Sequence, residues 1–147
     1  MAPVFACAFV GNRVLQAVGA PFVWTGGYID SERSAGRTPV YDTIGAHPSR
    51  LVVPTTGTYW VHAHSRIEPT VSGPVELVVR QNGSVDWVRA IVPGVATVSR
   101  DVSLGALLYL SAGDYLELIV FAQPGATYWG SNADRCDMTE LSLMRVG

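Results

Sequence analysis

Apolar and polar residues alternate with a period of two over much of the chain, and turn-forming residues separate the alternating runs. The segment Glu76-Leu77-Val78-Val79-Arg80 alternates, and the Asn82-Gly83 pair behind it is a strong hairpin signal with Val85 to Val92 as the returning strand. Nine Pro and 15 Gly residues interrupt every window that could show helical spacing. The pattern predicts an all-β fold.

Most other apolar runs are short, rich in β-formers and bounded by turns. The predicted strands are Val40 to Ile44, Arg50 to Val53, Thr58 to His64, Thr97 to Val102, Ala106 to Leu110, Tyr115 to Phe121 and Met138 to Val146. In the last strand, Thr139, Leu141 and Leu143 share one face. Glu140, Ser142 and Met144 share the other. We expect the polar stretch from Gly26 to Pro39 to be an exposed excursion between strands.

The run from Tyr115 to Phe121 is apolar on both faces apart from Glu117. A strand of this kind lies in a sheet that is covered on both sides, and in a two-layer sandwich one cover must come from outside the chain. We expect that cover to be another subunit. The candidate interface residues are Tyr115, Leu116, Leu118, Ile119, Val120 and Phe121.

Length and composition fit a single domain over residues 1–147, with 48% apolar and 15% charged residues. The net charge is −2, and the ten basic residues, all Arg, are scattered, which argues against a nucleic-acid partner. Arg without Lys, together with abundant Ala, Gly, Val and Pro, is expected of a GC-rich genome. No segment has the roughly 20 apolar residues of a membrane helix, and Met1 to Ala20 fits a secretory signal poorly because no basic residue precedes its short apolar run.

Few residues are arranged for chemistry. Cys7 and Cys136 are either two buried apolar residues or a disulfide that joins the first and last strands. His62 and His64 project from one face of a strand, but no third metal ligand lies nearby, so we favour an exposed or interface face shared with Trp60.

Asp134 and Asp137 lack the spacing of a calcium loop. Neither a nucleophile elbow nor a phosphate loop is present, so we expect no enzyme activity, metal or cofactor.

Polar loops with aromatic residues are the other candidate contact surfaces. The stretch from Gly26 to Pro39 offers Tyr28, Asp30, Arg33 and Arg37, and a later loop offers Tyr128, Trp129 and Asn132.

Several motifs, in order along the chain, resemble a known family. Val53-Pro54-Thr55-Thr56-Gly57-Thr58-Tyr59-Trp60-Val61 is similar to the pattern of an apolar residue, Pro, a turn, Gly-x-Tyr and a strand in the globular head of complement C1q and its tumour-necrosis-factor-like (TNF-like) relatives. The strand from Leu77 to Gly83, the strand from Val102 to Leu110 and the turn from Ser111 to Leu116 match in order and spacing. The last strand departs from the family, because Met138-Thr139-Glu140-Leu141 replaces its aromatic-Ser-Gly-aromatic signature.

The resemblance implies a two-sheet antiparallel jelly-roll sandwich of about ten strands that forms a homotrimer through its inner sheet. On this mapping either Tyr115, Ile119 and Phe121 or Leu116, Leu118 and Val120 approach the threefold axis. Neither a collagen-like nor a coiled-coil stalk precedes the domain in this sequence.

Our leading functional hypothesis is a non-enzymatic virion structural protein of a bacteriophage, assembled in the host cytoplasm. It would be a homotrimeric capsid decoration protein, bound to the major capsid protein or another virion protein at threefold or quasi-threefold sites. The alternative is a receptor-binding module of a tail tip or fibre that recognises a host-surface glycan or protein.

Overall fold

The computed structural model describes residues 5–10, 14–15, 19–30, 32–34, 40–42, 45–67, 73–93, 100–121, 127–129 and 139–147. These residues contain twelve β-strands: β1 (Phe5–Phe9), β2 (Val14–Leu15), β3 (Gly26–Ile29), β4 (Glu32–Ser34), β5 (Leu51–Val52), β6 (Gly57–Ile67), β7 (Val75–Gln81), β8 (Val85–Val92), β9 (Arg100–Leu110), β10 (Tyr115–Phe121), β11 (Thr127–Trp129) and β12 (Glu140–Arg145).

The strands form two antiparallel sheets. The larger sheet has the order β9-β6-β12-β1-β3-β4, and β11 and β2 extend it beside the far end of β6. The smaller sheet has the order β5-β10-β7-β8. The two sheets enclose one apolar core, which confirms the expected all-β sandwich.

The longest pairing joins β6 to β9 over eleven residue pairs, from Gly57↔Leu110 to Ile67↔Arg100. The other edge of β6 pairs with β12. Because side chains alternate along a strand, Tyr59, Val61 and Ala63 of β6 point into the core. Leu141 and Leu143 of β12 do the same, and Thr139 is buried beside Ser65, its hydroxyl partner at 3.0 Å, as the alternation predicted.

The predicted hairpin between β7 and β8 is confirmed. Asn82 and Gly83 have φ angles of 50° and 73°, which a two-residue type I′ turn requires. Asp114 fastens this turn to the next one by accepting hydrogen bonds from Asn82 Nδ2, Gln81 Nε2 and the Ser111 amide, each at 2.8 Å. The bond from Asn82, followed by the others, lowers the pKa of Asp114 below its usual range.

The two strands predicted from the local pattern at 97–102 and 106–110 form one strand in the part that the structure describes, in agreement with the single strand from Val102 to Leu110 that the family resemblance implies. β9 runs without a break from Arg100 to Leu110, and Gly105 lies within it. The Trp60 ring lies against Gly105, where a Cβ atom would come within 2.6 Å of the ring. Gly105 therefore makes room for a neighbouring ring and does not mark a turn.

The stretch from Gly26 to Pro39 is not an exposed excursion where it is described. Its first part forms β3 and β4, and Gly26 and Gly27 are buried. A Cβ atom would meet the Phe9 ring at Gly26 and the Tyr41 ring at Gly27. The two glycines thus let β3 pair with β1 beneath bulky side chains. In the described part of Val40 to Ile44, which is 40–42, Tyr41 and Asp42 lie in isolated β-bridges and not in a strand, and Tyr41 pairs with Leu51.

The strand β10 lies in the smaller sheet, and its apolar faces are buried within one chain. Leu116, Leu118 and Val120 point into the core. Ile119 lies on the opposite face, yet it is only 1% exposed without a second chain. The chain itself therefore covers β10 at Ile119, without a second subunit.

The edge of β10 beyond β5 is also occupied. Residues 19–22 run beside it, with hydrogen bonds from the Gly19 amide to Val120 O and from the Phe22 amide to Leu118 O. Of the six candidate interface residues, Tyr115 and Phe121 are half-buried, and the other four are buried.

The last strand of the smaller sheet in this order, β8, pairs with β7 through an irregular ladder. The register shifts by one residue between Val79 and Arg80, which is a β-bulge. Asp86 and Arg89 bring charge to β8, and Pro93 follows it.

The first strand belongs to the folded domain, because β1 lies between β12 and β3 and Ala6 to Phe9 are buried. Cys7 in this strand is disulfide-bonded. The one other cysteine of the chain, Cys136, lies outside the described residues.

Truncating the middle of β10 tests this core. Leu118→Ala should lower the free energy of unfolding by about 2–5 kcal/mol, because it removes buried methyl groups and leaves a cavity. Ile91→Ala is the control, since Ile91 is 65% exposed and its truncation should change the stability by less than about 0.5 kcal/mol. Denaturant unfolding measures both, and equal effects would show that β10 is misplaced.

Candidate interface on the larger sheet

The outward face of the larger sheet carries side chains from β9, β6 and β12. Val102, Leu104, Leu108 and Leu110 of β9 point into the core, so Leu107 and Tyr109 point out of the sandwich. The same alternation turns Trp60, His62 and His64 of β6 outward, as the sequence predicted for the two histidines and Trp60. Met144 of β12 lies on this face as well.

Four large side chains form an exposed group at one end of this face. Leu107, Trp60 and Met144 follow one another across three strands, because Trp60 pairs with both Leu107 and Met144. Tyr109 lies on the same edge strand, two residues after Leu107. Their exposed fractions are 62% for Leu107, 71% for Tyr109, 41% for Trp60 and 40% for Met144. We call these four residues the apolar patch.

The outward face of the smaller sheet has a different character. Arg80 bonds Asp86 at 2.6 Å, and Arg89 bonds both Asp86 and Glu76, so acidic and basic groups alternate across β7 and β8. The hydrogen bond from Arg80 holds the pKa of Asp86 below its usual range. Protein interfaces are enriched in Trp, Tyr and Met and depleted of acidic residues at their centre. The apolar patch fits that composition without an ion pair among its residues, whereas the smaller sheet places its exposed Trp87 and Ile91 beside these ion pairs.

Two histidine–carboxylate pairs adjoin the apolar patch. His62 Nδ1 lies 3.0 Å from Glu140 Oε1, and His64 Nε2 lies 3.2 Å from Asp101 Oδ1. Arg66 lies farther along β6, 3.9 Å from the same Asp101 oxygen. Each histidine therefore has its own carboxylate, and the pair does not share one partner.

Partial burial, aided by the positive charge of His64, lowers the pKa of His62 below its ordinary value of 6.5. Among the residues that the structure describes, no three His, Cys, Asp or Glu side chains converge as a metal site would require. The face is thus a surface of rings and histidine–carboxylate pairs.

The contact candidates from the sequence lie on several strands. Tyr28 of β3 is half-buried against Phe9, with ring centroids 5.9 Å apart. Asp30 has a φ of 53°, and its Oδ1 accepts a hydrogen bond from the Phe5 amide, so it joins the end of β3 to the start of β1.

The remaining contact candidates are described only in part. Arg33 lies in β4, and Tyr128 and Trp129 lie in β11, but their side chains are outside the described part of the chain. Arg37 and Asn132 are outside it altogether, as are Asp134 and Asp137.

Leu107 and Tyr109 are exposed interface candidates that the sequence analysis missed. Leu107-Leu108-Tyr109-Leu110 is apolar on both faces of a strand, which is the signal used for Tyr115 to Phe121. The same signal therefore marks both β9 and β10 as candidate interface strands. The structure distinguishes the two strands, because the chain itself buries the outward face of β10 at Ile119 and leaves the outward face of β9 exposed at Leu107 and Tyr109.

Comparison with solved structures identifies the fold as a TNF-like jelly roll. The chain is similar to the structure of Eiger TNF from S. frugiperda, with a TM-score of 0.70 and 16% sequence identity. The match covers 99% of this chain and 94% of the other. Neither a family model nor a curated protein matches the sequence. In the described residues, no helix is long and apolar enough to span a membrane.

The lowered pKa of His62 predicts a pH dependence of stability. The unfolded chain binds a proton at His62 with a pKa of about 6.5, and the folded chain binds it only at lower pH. The unfolded state therefore holds more protons, and the free energy of unfolding should fall as the pH drops through and below about 6.5.

Denaturant unfolding between pH 7.5 and 5.5 measures this dependence. His62→Gln should flatten the curve, whereas His47→Gln, at an exposed position away from this face, should leave it as in the wild type. An unchanged slope in His62→Gln would refute the assignment.

Proposed function

We propose that this protein is a non-enzymatic, self-associating structural module that forms a homotrimer through the larger sheet. The observation that carries the proposal is the apolar patch, which places four large, weakly polar side chains on one exposed face. Leaving such a group in water is unfavourable, and covering it with a second copy removes apolar area from water. The order of three follows from the resemblance to the C1q and TNF domains.

The polarity of the two sheets supports the choice of face. The ion-paired outward face of the smaller sheet would lose hydration at four charged groups if it were covered, and that desolvation offsets much of any gain. The patch carries no charged side chain of its own. The neighbouring His62–Glu140 and His64–Asp101 pairs would lie at its margin, where polar groups surround an apolar centre.

We further propose that the trimer is a virion component, a capsid decoration protein at threefold or quasi-threefold sites of a phage shell. Two features support this role: a sequence rich in Arg, Gly, Ala and Val without Lys, as a GC-rich host implies, and a symmetry that matches such sites. A trimer that binds only assembled shell would stabilise it by mass action.

The oligomeric state tests the first part of the proposal. Light scattering at micromolar concentration should give a mass of about three times 15.7 kDa. Leu107→Asp should yield folded monomers, because a charge would have to be buried in the contact. Ile91→Asp is the matched control, since Ile91 is equally exposed but lies on the smaller sheet, and it should remain a trimer. A monomeric wild type, or dissociation by Ile91→Asp alone, would contradict the proposed face.

Copy number tests the second part. Quantitative mass spectrometry of purified particles should find hundreds of copies of the chain per virion. A few copies per particle would favour the tail-tip recognition module, and no copies would refute a virion role.

A further inference from the structure

The turn between β7 and β8 carries a pair of residues that can react with each other. In Asn82-Gly83, the side-chain amide carbon of Asn82 and the backbone nitrogen of Gly83 can close a five-membered ring. Gly83 has no Cβ atom to hinder that approach. Both residues are exposed, so water and hydroxide reach them. The pair that favours the hairpin turn is therefore also a pair that is prone to lose its side-chain amide nitrogen.

The backbone of the turn keeps the two reacting groups apart. Ring closure requires Gly83 N to eclipse Cβ of Asn82 about the bond from Cα to the carbonyl carbon. Asn82 has a φ of 50°, in the left-handed region, where a ψ of about +47° puts that nitrogen nearly opposite Cβ. The Ser84 amide donates to Gln81 O at 3.1 Å and closes the turn in this conformation. The folded turn therefore resists the reaction until its backbone rotates.

The side chain of Asn82 is held at both ends of its amide group. Its Nδ2 donates to Asp114 Oδ1 at 2.8 Å, and its Oδ1 accepts from the Tyr115 amide at 3.0 Å. The backbone amide of Asn82 donates to Tyr115 O, also at 3.0 Å. We call these three hydrogen bonds the clamp. They tie the turn to the start of β10, so rotation of the Asn82 backbone must break them.

Asp114 is itself held in place by its neighbours. Its Oδ2 accepts hydrogen bonds from Gln81 Nε2 and from the Ser111 amide, each at 2.8 Å. Its backbone carbonyl accepts a further bond from the Val53 amide at 2.7 Å. The hydrogen bond from Asn82, followed by those from Ser111 and Gln81, lowers the pKa of Asp114, so this carboxylate is ionised at neutral pH. The clamp therefore includes a charge-assisted bond to a fixed anion.

We propose that Asn82 is a site of deamidation and that the clamp controls the rate. When the turn opens, Gly83 N gives its proton to hydroxide and forms a bond to Cγ of Asn82. The bond from Cγ to Nδ2 then breaks, and that nitrogen takes a proton from water and leaves as ammonia. Water opens the resulting cyclic imide at either carbonyl carbon, which yields aspartate or isoaspartate at position 82.

Neither product can re-form the clamp. An aspartate lacks the Nδ2 donor and puts a second carboxylate beside Asp114, where the two like charges repel each other. An isoaspartate adds one carbon atom to the backbone, so a two-residue turn no longer fits between the paired strands. Deamidation would therefore leave the β7–β8 turn open. The proposal is independent of trimer formation, because no residue of the apolar patch takes part.

Peptide mapping by mass spectrometry during incubation at mildly alkaline pH tests the site. The folded wild type should deamidate at Asn82 about tenfold or more slowly than the same chain in denaturant, a comparison that needs no substitution. Asp114→Ala should speed the reaction of the folded chain by about tenfold, because it removes a hydrogen bond to a charged group. Asp114→Asn keeps an acceptor for Asn82 and should restore much of the protection. Asp101→Ala removes a carboxylate from the larger sheet and should react as the wild type does.

Leu118→Ala separates the clamp from overall stability. This variant loses core contacts in β10 but keeps all three bonds of the clamp, so its deamidation rate should stay within about twofold of the wild type. Equal acceleration in Leu118→Ala and Asp114→Ala would show that global unfolding sets the rate and would overturn the proposal. Equal rates in the folded and the denatured wild type, or an unchanged rate in Asp114→Ala, would overturn it as well. Leu107→Asp should deamidate as the wild type does, so failure here is separate from failure of the trimer.

Discussion

The pairing of β6 with β9 and β12 is the constraint on which the rest of the larger sheet depends. Once this register is set, the pleat assigns every second residue to the core and the rest to the outside. A slip of one residue would bury His62 and expose Val61. The same register that packs Tyr59 and Val61 inward therefore also assembles Trp60, Leu107 and Met144 on one surface, so stability and the candidate interface share one cause.

Much of the fold could be read from local signals. The Asn82-Gly83 turn, the strands beside it and the alternation of the last strand follow from requirements that act within a few residues. Two differences from the predicted strands lie at glycines. Gly26 begins the stretch predicted as an excursion, and Gly105 lies between two predicted strands, but each of them, like Gly27, makes room for a ring from another part of the chain. That role depends on partners distant in sequence, which local patterns do not contain.

The surface sites were harder to predict for a related reason. Two strands are apolar on both faces, and only the packing of residues 19–22 and the neighbouring strands shows that the chain itself encloses β10. The clamp on Asn82 gave no sequence signal, because Asp114 and Tyr115 meet the turn only in the folded chain. His62 and His64, by contrast, were placed on one face correctly, since a spacing of two in a strand is sufficient for that prediction.

The irregular edge of the smaller sheet hinders the growth of the protein into fibrils. An open strand edge offers unpaired amides and carbonyls to any other chain, and regular edges can extend without limit into fibrils. The bulge at Trp87, the charged Asp86 and Arg89 and the following Pro93 make β8 a poor template for such growth. With this edge, the proposed association through the apolar patch of the larger sheet would give a closed particle of finite size and not a fibril.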